Sequence, residues 1–251
     1  MSAPAEFLPW DTDFFGVRIG RLTQQHMDIS YLAEVLAWAK AEQIACLYFL
    51  ASADDPDTVR LAEDSGFRFM DIRLTLELPR LPAEVVAPQL EGVRFRMGRP
   101  SDFEPLRPTA RAAYTQTRFF SDPRFSDEQC ADLYETWLRR SLLEAWADGV
   151  MVAELTESGL PIGYITGHLN AETKRARIGL VGVSEAARGR SVGQGLLAAT
   201  LAWFAQAGMN SVEVTTQGRN IGAQRLYQRG GFLSQQVGLW YHLWLDQSGS
   251  S

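Results

Sequence analysis

The chain has 251 residues, 46% of them hydrophobic, which is enough for one large core or two smaller ones and too much for extended disorder. Thirty acidic against 24 basic residues leave a net charge of -6, without the basic excess of a nucleic-acid binder. Cys46 and Cys130 lie far apart with no C-x-x-C, and no apolar stretch has the length of a membrane span or the layout of a signal peptide, so a cytoplasmic protein with no structural metal and no membrane partner is expected.

In chain order, residues 17–22 read as a strand, and 29–44 as a helix with Leu32, Val35, Leu36 and Ala39 on one face. Residues 46–50 form a short apolar strand, 56–64 a helix opened by Asp55, and 67–78 a strand alternating through Phe69, Ile72, Leu74, Leu76 and Leu78. Pro79, Pro82 and Pro88 then interrupt both periodicities, so residues 81–91 are read as a linker between a first unit, 1–80, and a second, 92–247. The second unit opens with a strand at 93–97 and a helical region capped by Ser101-Asp102. That region reaches about Trp146 and is broken into two helices at Ser121-Asp122-Pro123. Strands at 149–155, 162–169 and 177–183 make an antiparallel meander, followed by a helix at 192–207, a strand at 212–215, a helix at 220–229 and a strand at 232–245. The expected class is α/β of the α+β kind, a mixed and mostly antiparallel sheet flanked by helices.

Displacing the chain by 165 residues against itself lays Leu36-Ala37-Trp38 on Leu201-Ala202-Trp203, Arg60-Leu61 on Arg225-Leu226, and Gly66-Phe67 on Gly231-Phe232, seven identities in 32 positions. The order of elements agrees too, so the first unit reads as a truncated copy of the end of the second. Tyr227 meets Ala62 in the copy, Asn220 meets Asp55, and the glycines of 190–195 have no counterpart.

Those glycines sit between a strand and an amphipathic helix, in Arg188-Gly189-Arg190-Ser191-Val192-Gly193-Gln194-Gly195. Backbone N–H groups at a helix start converge on an anion, glycines let oxygens approach, and the two arginines add charge, so a phosphate is expected there. Gly193-Gln194-Gly195-Leu196-Leu197-Ala198 also fits a dinucleotide fingerprint, with Glu213 following it. The first glycine does not directly follow the strand, however, and too little chain remains to complete that fold.

Arg190-x-x-Gly193-x-Gly195, followed by Asn220-x-x-Ala223-x-x-Leu226-Tyr227 and Gly231-Phe232, resembles the acyl-CoA signature of GNAT-type N-acetyltransferases over roughly residues 92–245. The resemblance implies a GNAT-type sheet preceded by a truncated GNAT-like N-terminal domain, with two strands splayed around acetyl-CoA. Leu180, Val181, Gly182 and Val183 would then face pantetheine, and Arg188, Arg190, Ser191, Val192, Gly193, Gln194 and Gly195 the pyrophosphate, with Asn220 and Ala223 alongside. Pro9-Trp10-Asp11, Phe14-Phe15-Gly16, Arg118-Phe119-Phe120-Ser121-Asp122-Pro123 and Arg225-Leu226-Tyr227 further resemble the two-domain dTDP-fucosamine acetyltransferases. That narrower likeness implies a small-molecule amine acceptor, the amino group of a nucleotide-linked deoxy amino sugar. Other amines (a protein N-terminus, a polyamine, an antibiotic) and a catalytically silent CoA-binding protein are the alternatives, and a homodimer is compatible with either.

The chemistry needs a proton for a departing thiolate and a base for the amine. Tyr227 is the candidate acid: a phenol near 10 and a thiol near 8.5 leave a gap of roughly 1.5 units, on the order of 2 kcal/mol. A strand amide near 180–182 is the candidate oxyanion donor. His168, with an intrinsic pKa suited to neutral pH, is the candidate base, and Glu185 an alternative through water. Arg118 and Arg124 bracket Phe119, Phe120 and Asp122, a set able to pair a diphosphate and stack a base or sugar, with Trp10 and Phe15 as further cleft candidates. His26 and His242 have no metal-ligand spacing to Cys, Asp or Glu.

Overall fold

β-Branched and aromatic runs pair into one ten-stranded sheet in a computed structural model that describes residues 3–86 and 88–245. The outer ends of the two units expected from sequence, residues 1–2 and 246–247, lie outside the described residues, as does Ala87 of the linker. The first half contains β1 (Ala5–Phe7), α1 (Pro9–Phe15), β2 (Ile19–Leu22), α2 (Ile29–Ala41), β3 (Cys46–Ser52), α3 (Pro56–Asp64) and β4 (Arg68–Leu78). The second contains β5 (Val93–Met97), α4 (Phe103–Ala113), α5 (Arg118–Ser121), α6 (Asp127–Leu143), β6 (Gly149–Leu155), β7 (Pro161–Asn170) and β8 (Arg175–Val183). After these come α7 (Val192–Gln206), β9 (Ser211–Gln217), α8 (Ile221–Arg229) and β10 (Leu233–Trp244).

Two elements, β1 and α1, were not expected. The first is three residues long, too short for an alternation to show, and α1 is held by Pro9 at its first turn and a left-handed Gly16 at its end. The helical region before β6 divides into three helices, not two. Besides the break at Pro123, the chain leaves helical geometry at Tyr114, whose side chain turns to β8.

The sheet runs β1-β2-β3-β10-β4-β9-β8-β7-β6-β5, parallel only at β2/β3 and β8/β9, which gives the mixed, mostly antiparallel sheet. Its centre carries the repeat. Displaced by 165 residues, β3, α3 and the start of β4 fall on β9, α8 and the start of β10. Each copy's last strand leaves its own half: β10 lies between β3 and β4, and β4 lies between β10 and β9. The pairings Gly238↔Ser52 and Arg73↔Gln217, Tyr241↔Phe49 and Leu76↔Val214 are mutual images, and Arg73↔Gly238 is its own image, so a pseudo-two-fold axis passes through that pair. Even the bulges match, one at Met70 and one at Gln235. The segment between β4 and β5 is therefore a crossing between halves that share one sheet, and it is pinned at its start by buried Leu81, whose N–H donates to the Asn210 carbonyl at 2.7 Å.

One face of the sheet packs α7 and α8 around Leu196, Leu197, Val214 and Phe232, and α2 and α3 around Val35, Phe49, Ala62 and Tyr241. The opposite face packs α1, α4, α5 and α6 around Phe15, Leu106, Phe119, Leu133 and Tyr164.

Candidate active site

β8 and β9 pair only from Arg175–Ile178 with Ser211–Val214 and then part. The divergence begins at a bulge, where Gly179 and Leu180 together face Thr166 of β7. The Leu180 N–H left over by the bulge donates to Thr166 Oγ1 at 2.7 Å, and a Cβ on Gly179 would strike that same oxygen. Into the gap opens a cleft of about 840 Å³, lined by Gly179 to Val183 on one side and Thr215 to Gln217 on the other.

At one end of the cleft stands the start of α7, whose first N–H groups have no intrahelical acceptor. Arg188, Ser191, Val192, Gly193 and Gln194 line it. A Cβ on Gly193 would meet nothing closer than 3.8 Å, so the backbone there faces open space. Ser191 occupies the cap with φ 59°, a left-handed conformation that glycine adopts without strain. Asn220 caps α8 by accepting the Ala223 N–H at 3.0 Å, and helical spacing then sets Asn220, Ala223 and Tyr227 along the cleft. Tyr227 is only 3% exposed, and burial pushes its hydroxyl above the ordinary tyrosine range.

Tyr114 was not singled out from sequence. Its hydroxyl accepts the Val181 N–H at 2.5 Å and donates to the Val181 carbonyl at 2.8 Å, tying the end of α4 to the splayed strand. Asp71 was also missed. It lines the cleft from β4, just after the Met70 bulge, is 3% exposed, and has its carboxyl pushed up to about 6 by burial, which outweighs the nearby Arg219 and Arg118. A carboxylate inside the apolar alternation of 67–78, where Glu77 is the one other acid, was the available signal. Arg73, two residues on, lines the cleft as well, so the N-terminal half supplies two of its charged groups.

Of the expected acceptor residues, Arg118 and Phe119 line the cleft. The others are placed elsewhere. Asp122 is buried and bonded to His242 and Trp244, so it is not exposed to a ligand. Arg124 stacks on Trp244 at 4.9 Å, Phe120 packs into the α4–α6 core, and Phe15 is buried between Phe119 and Phe125. Trp10 is outside the cleft lining and packs against Trp137, with the rings tilted and 6.1 Å apart; Trp137 does line the cleft. His168 faces Arg177 on the neighbouring strand and is not among the cleft residues; burial and that arginine push its pKa down. Arg190 is exposed outside the cleft. Gly195 is a packing glycine, because a Cβ there would overlap the Phe95 ring. Leu180, Val181, Gly182 and Val183 line the cleft.

Residues 112–232 match the model of the Acetyltransferase (GNAT) family. The spore coat polysaccharide biosynthesis protein SpsD of Bacillus subtilis is 28% identical over 152 residues, covering 60% of this chain and 51% of that protein, so the match spans about half of the relative's length. The dTDP-fucosamine acetyltransferase of Escherichia coli O6:H1 is 24% identical over 244 residues, 96% of this chain and 98% of that one. In fold, the chain is similar to the GCN5-related N-acetyltransferase from Sphaerobacter thermophilus, with a TM-score of 0.68 at 20% identity over 98% of this chain and 79% of that chain. Among the described residues no helix is long and apolar enough to cross a membrane, and no group of three or more His, Cys, Asp or Glu residues could hold a metal.

Proposed function

We propose that this chain, an acyl-CoA-dependent N-acetyltransferase whose residues 112–232 form a GNAT acetyltransferase domain, moves an acetyl group from acetyl-CoA to the amino group of a nucleotide-linked deoxy amino sugar. The observation that carries the acceptor is the part of the cleft where Arg118 lies over the Phe119 and Trp240 rings, with Arg73 lining the same cleft. Two cations in one cleft, one of them over aromatic faces, suit a diphosphate joined to flat rings, and they oppose a polycationic polyamine. The likeness to a dTDP-fucosamine acetyltransferase over nearly the whole chain supports the same acceptor.

The residues fit acetyl-CoA. The free space at Gly193, the unpaired amides at the start of α7 and Arg188 suit its phosphates, and the parted edge of β8 suits its pantetheine arm. When bound, acetyl-CoA supplies an activated acyl group on a thioester. Tyr227 holds a proton for the departing sulfur. Burial that lifts the phenol also disfavours a thiolate, so the gap between the two groups, not either value alone, sets the cost of transfer. Asp71, ionised at neutral pH yet more basic than an ordinary carboxylate, is the group we assign to take a proton from the acceptor ammonium.

A thiol-release assay tests the reading. Purified protein with acetyl-CoA should release CoA with nucleotide amino sugars and not with polyamines, peptide N-termini or aminoglycosides, after subtraction of a no-acceptor control. Faster release with any of the latter overturns the assigned acceptor.

A further inference from the structure

The Arg118 guanidinium lies over three rings, at 4.1 Å from Tyr48, 4.1 Å from Phe119 and 4.3 Å from Trp240. Among the described residues its one hydrogen bond runs from Nη1 to His242 Nε2 at 3.1 Å. A guanidinium only donates, so Nε2 is the acceptor and the imidazole proton sits on Nδ1. Nδ1 donates to Asp122 Oδ2 at 2.7 Å, an oxygen that also takes the Trp244 Nε1–H at 2.8 Å, while Oδ1 accepts the Arg124 backbone N–H at 3.0 Å. His242 and Asp122 are each 1% exposed. Burial pushes His242 down to about 4, so the ring is neutral at working pH.

We propose that Asp122 and His242 are positioning residues that hold the Arg118 guanidinium in the cleft to take a phosphate group of the acceptor. The proposal rests on the nucleotide-sugar reading. A carboxylate placed directly on Arg118 would orient it but cancel its charge, whereas a neutral imidazole orients it and leaves the charge for a ligand. Asp122 fixes the tautomer from one residue further back; without it the Nε2–H form would point a proton at a cation. Of the five guanidinium N–H groups one is used on His242, and the others have no acceptor among the described residues.

The experiment is calorimetric titration of CoA-saturated protein, so that the CoA end is closed, with inorganic pyrophosphate and with dTDP. His242→Phe should weaken both about tenfold, the scale of one charge-assisted hydrogen bond, with CoA affinity within about twofold. His242→Gln, whose Oε1 restores an acceptor, should recover most of the loss. In an Arg118→Gln background His242→Phe should add nothing, because its effect passes through Arg118. Should His242→Phe not fold, Asp122→Asn carries the same cycle. Additive losses in the double variant, or a CoA affinity that falls as far as the diphosphate affinity, overturn the positioning role. Wild type that binds dTDP equally with every variant overturns the relay alone. Wild type that binds pyrophosphate but not dTDP overturns the nucleotide-sugar reading, while the variants still decide the relay; binding of neither overturns both.

Discussion

In the C-terminal half, Asn220, Ala223 and Tyr227 of α8 and its cap line an open cleft; in the N-terminal half, at the corresponding positions, Thr58 and Ala62 of α3 are buried in a closed core and the cap Asp55 is half-buried beside them. The backbone plan is shared, and what differs is the loop before the helix that precedes the second strand. In the N-terminal half residues 23–28 fold into the place of the cleft: Thr58 Oγ1 accepts the Met27 N–H at 2.7 Å, and the Ser52 N–H donates to the Gln25 carbonyl at 2.9 Å. Asp55, bonded to His26, Thr58 and Asp57, is held well below the usual carboxylate range and serves as a cap alone. In the other half Arg188, Gly189 and Ser191 to Gln194 line the cleft and leave it open. A pocket in this fold is thus a gap that the loop declines to fill. The N-terminal half contributes Asp71 and Arg73 to the lining of that cleft.

Cutting the halves apart is the most severe way to break this comparison. Deleting residues 3–80 removes β4 from between β10 and β9 and β3 from the far side of β10, so the remainder should not fold, as read by circular dichroism and soluble yield. A folded remainder that binds acetyl-CoA would show that the shared sheet is dispensable. Exchanging the diagnostic residue comes next. Tyr227→Phe should lower kcat by about 10² to 10⁴-fold with both KM values within a few-fold, since packing is kept and the proton is lost. The reciprocal Ala62→Tyr should create no second active site and should destabilise the closed core by about 1–3 kcal/mol. Unchanged kcat in Tyr227→Phe, where chemistry limits the rate, reassigns the ring to packing.

Asp71→Asn sharpens the claim that the first half works in the second half's site. We expect a loss of about 10² in kcat and disappearance of a rise in activity centred near pH 6. Stability should move the other way. A carboxyl whose folded pKa lies above its unfolded value binds its proton more tightly in the native state. Native stability therefore falls as pH climbs from about 4 to about 6, and above that range the ionised group carries its full burial cost. Removing it should raise stability at pH 7 by on the order of 2 kcal/mol, measurable by urea melts at pH 4 and pH 7. An equal change at both pH values would refute a buried, elevated Asp71. The smallest effect is expected at Ser191→Gly, which relieves a left-handed cap for about 0.5–1 kcal/mol; a rise in the KM for acetyl-CoA would mean that the hydroxyl itself binds.

Much of the scaffold was legible because its signals are local. The 165-residue displacement, visible through Leu-Ala-Trp, Arg-Leu and Gly-Phe, anticipates the matched strands and helices, and the spacing of Asn220, Ala223 and Tyr227 anticipates one face of α8. The site was legible where backbone chemistry leads, at 180–183 and at Gly193, and misread where side chains do. Gly195 belongs to the same glycine-rich run as Gly193, yet Phe95 from the edge strand claims it. Asp122 has the polarity of a ligand group, but His242 and Trp244, about 120 residues away in sequence, bury it.

Most of the helices and strands, the apolar face of each and the places for a capping side chain could be read from sequence, since they depend on neighbours within a few positions; β1, α1 and the break at Tyr114 could not. Only the tertiary structure decided that β4 and β10 cross between the halves and that Asp71 looks into the cleft. Strand edges pair through backbone N–H and C=O groups that are nearly alike in every strand, so a pattern of side chains names the buried face but not the partner at the edge, and a one-residue bulge at Met70 is enough to re-aim the carboxylate that follows it.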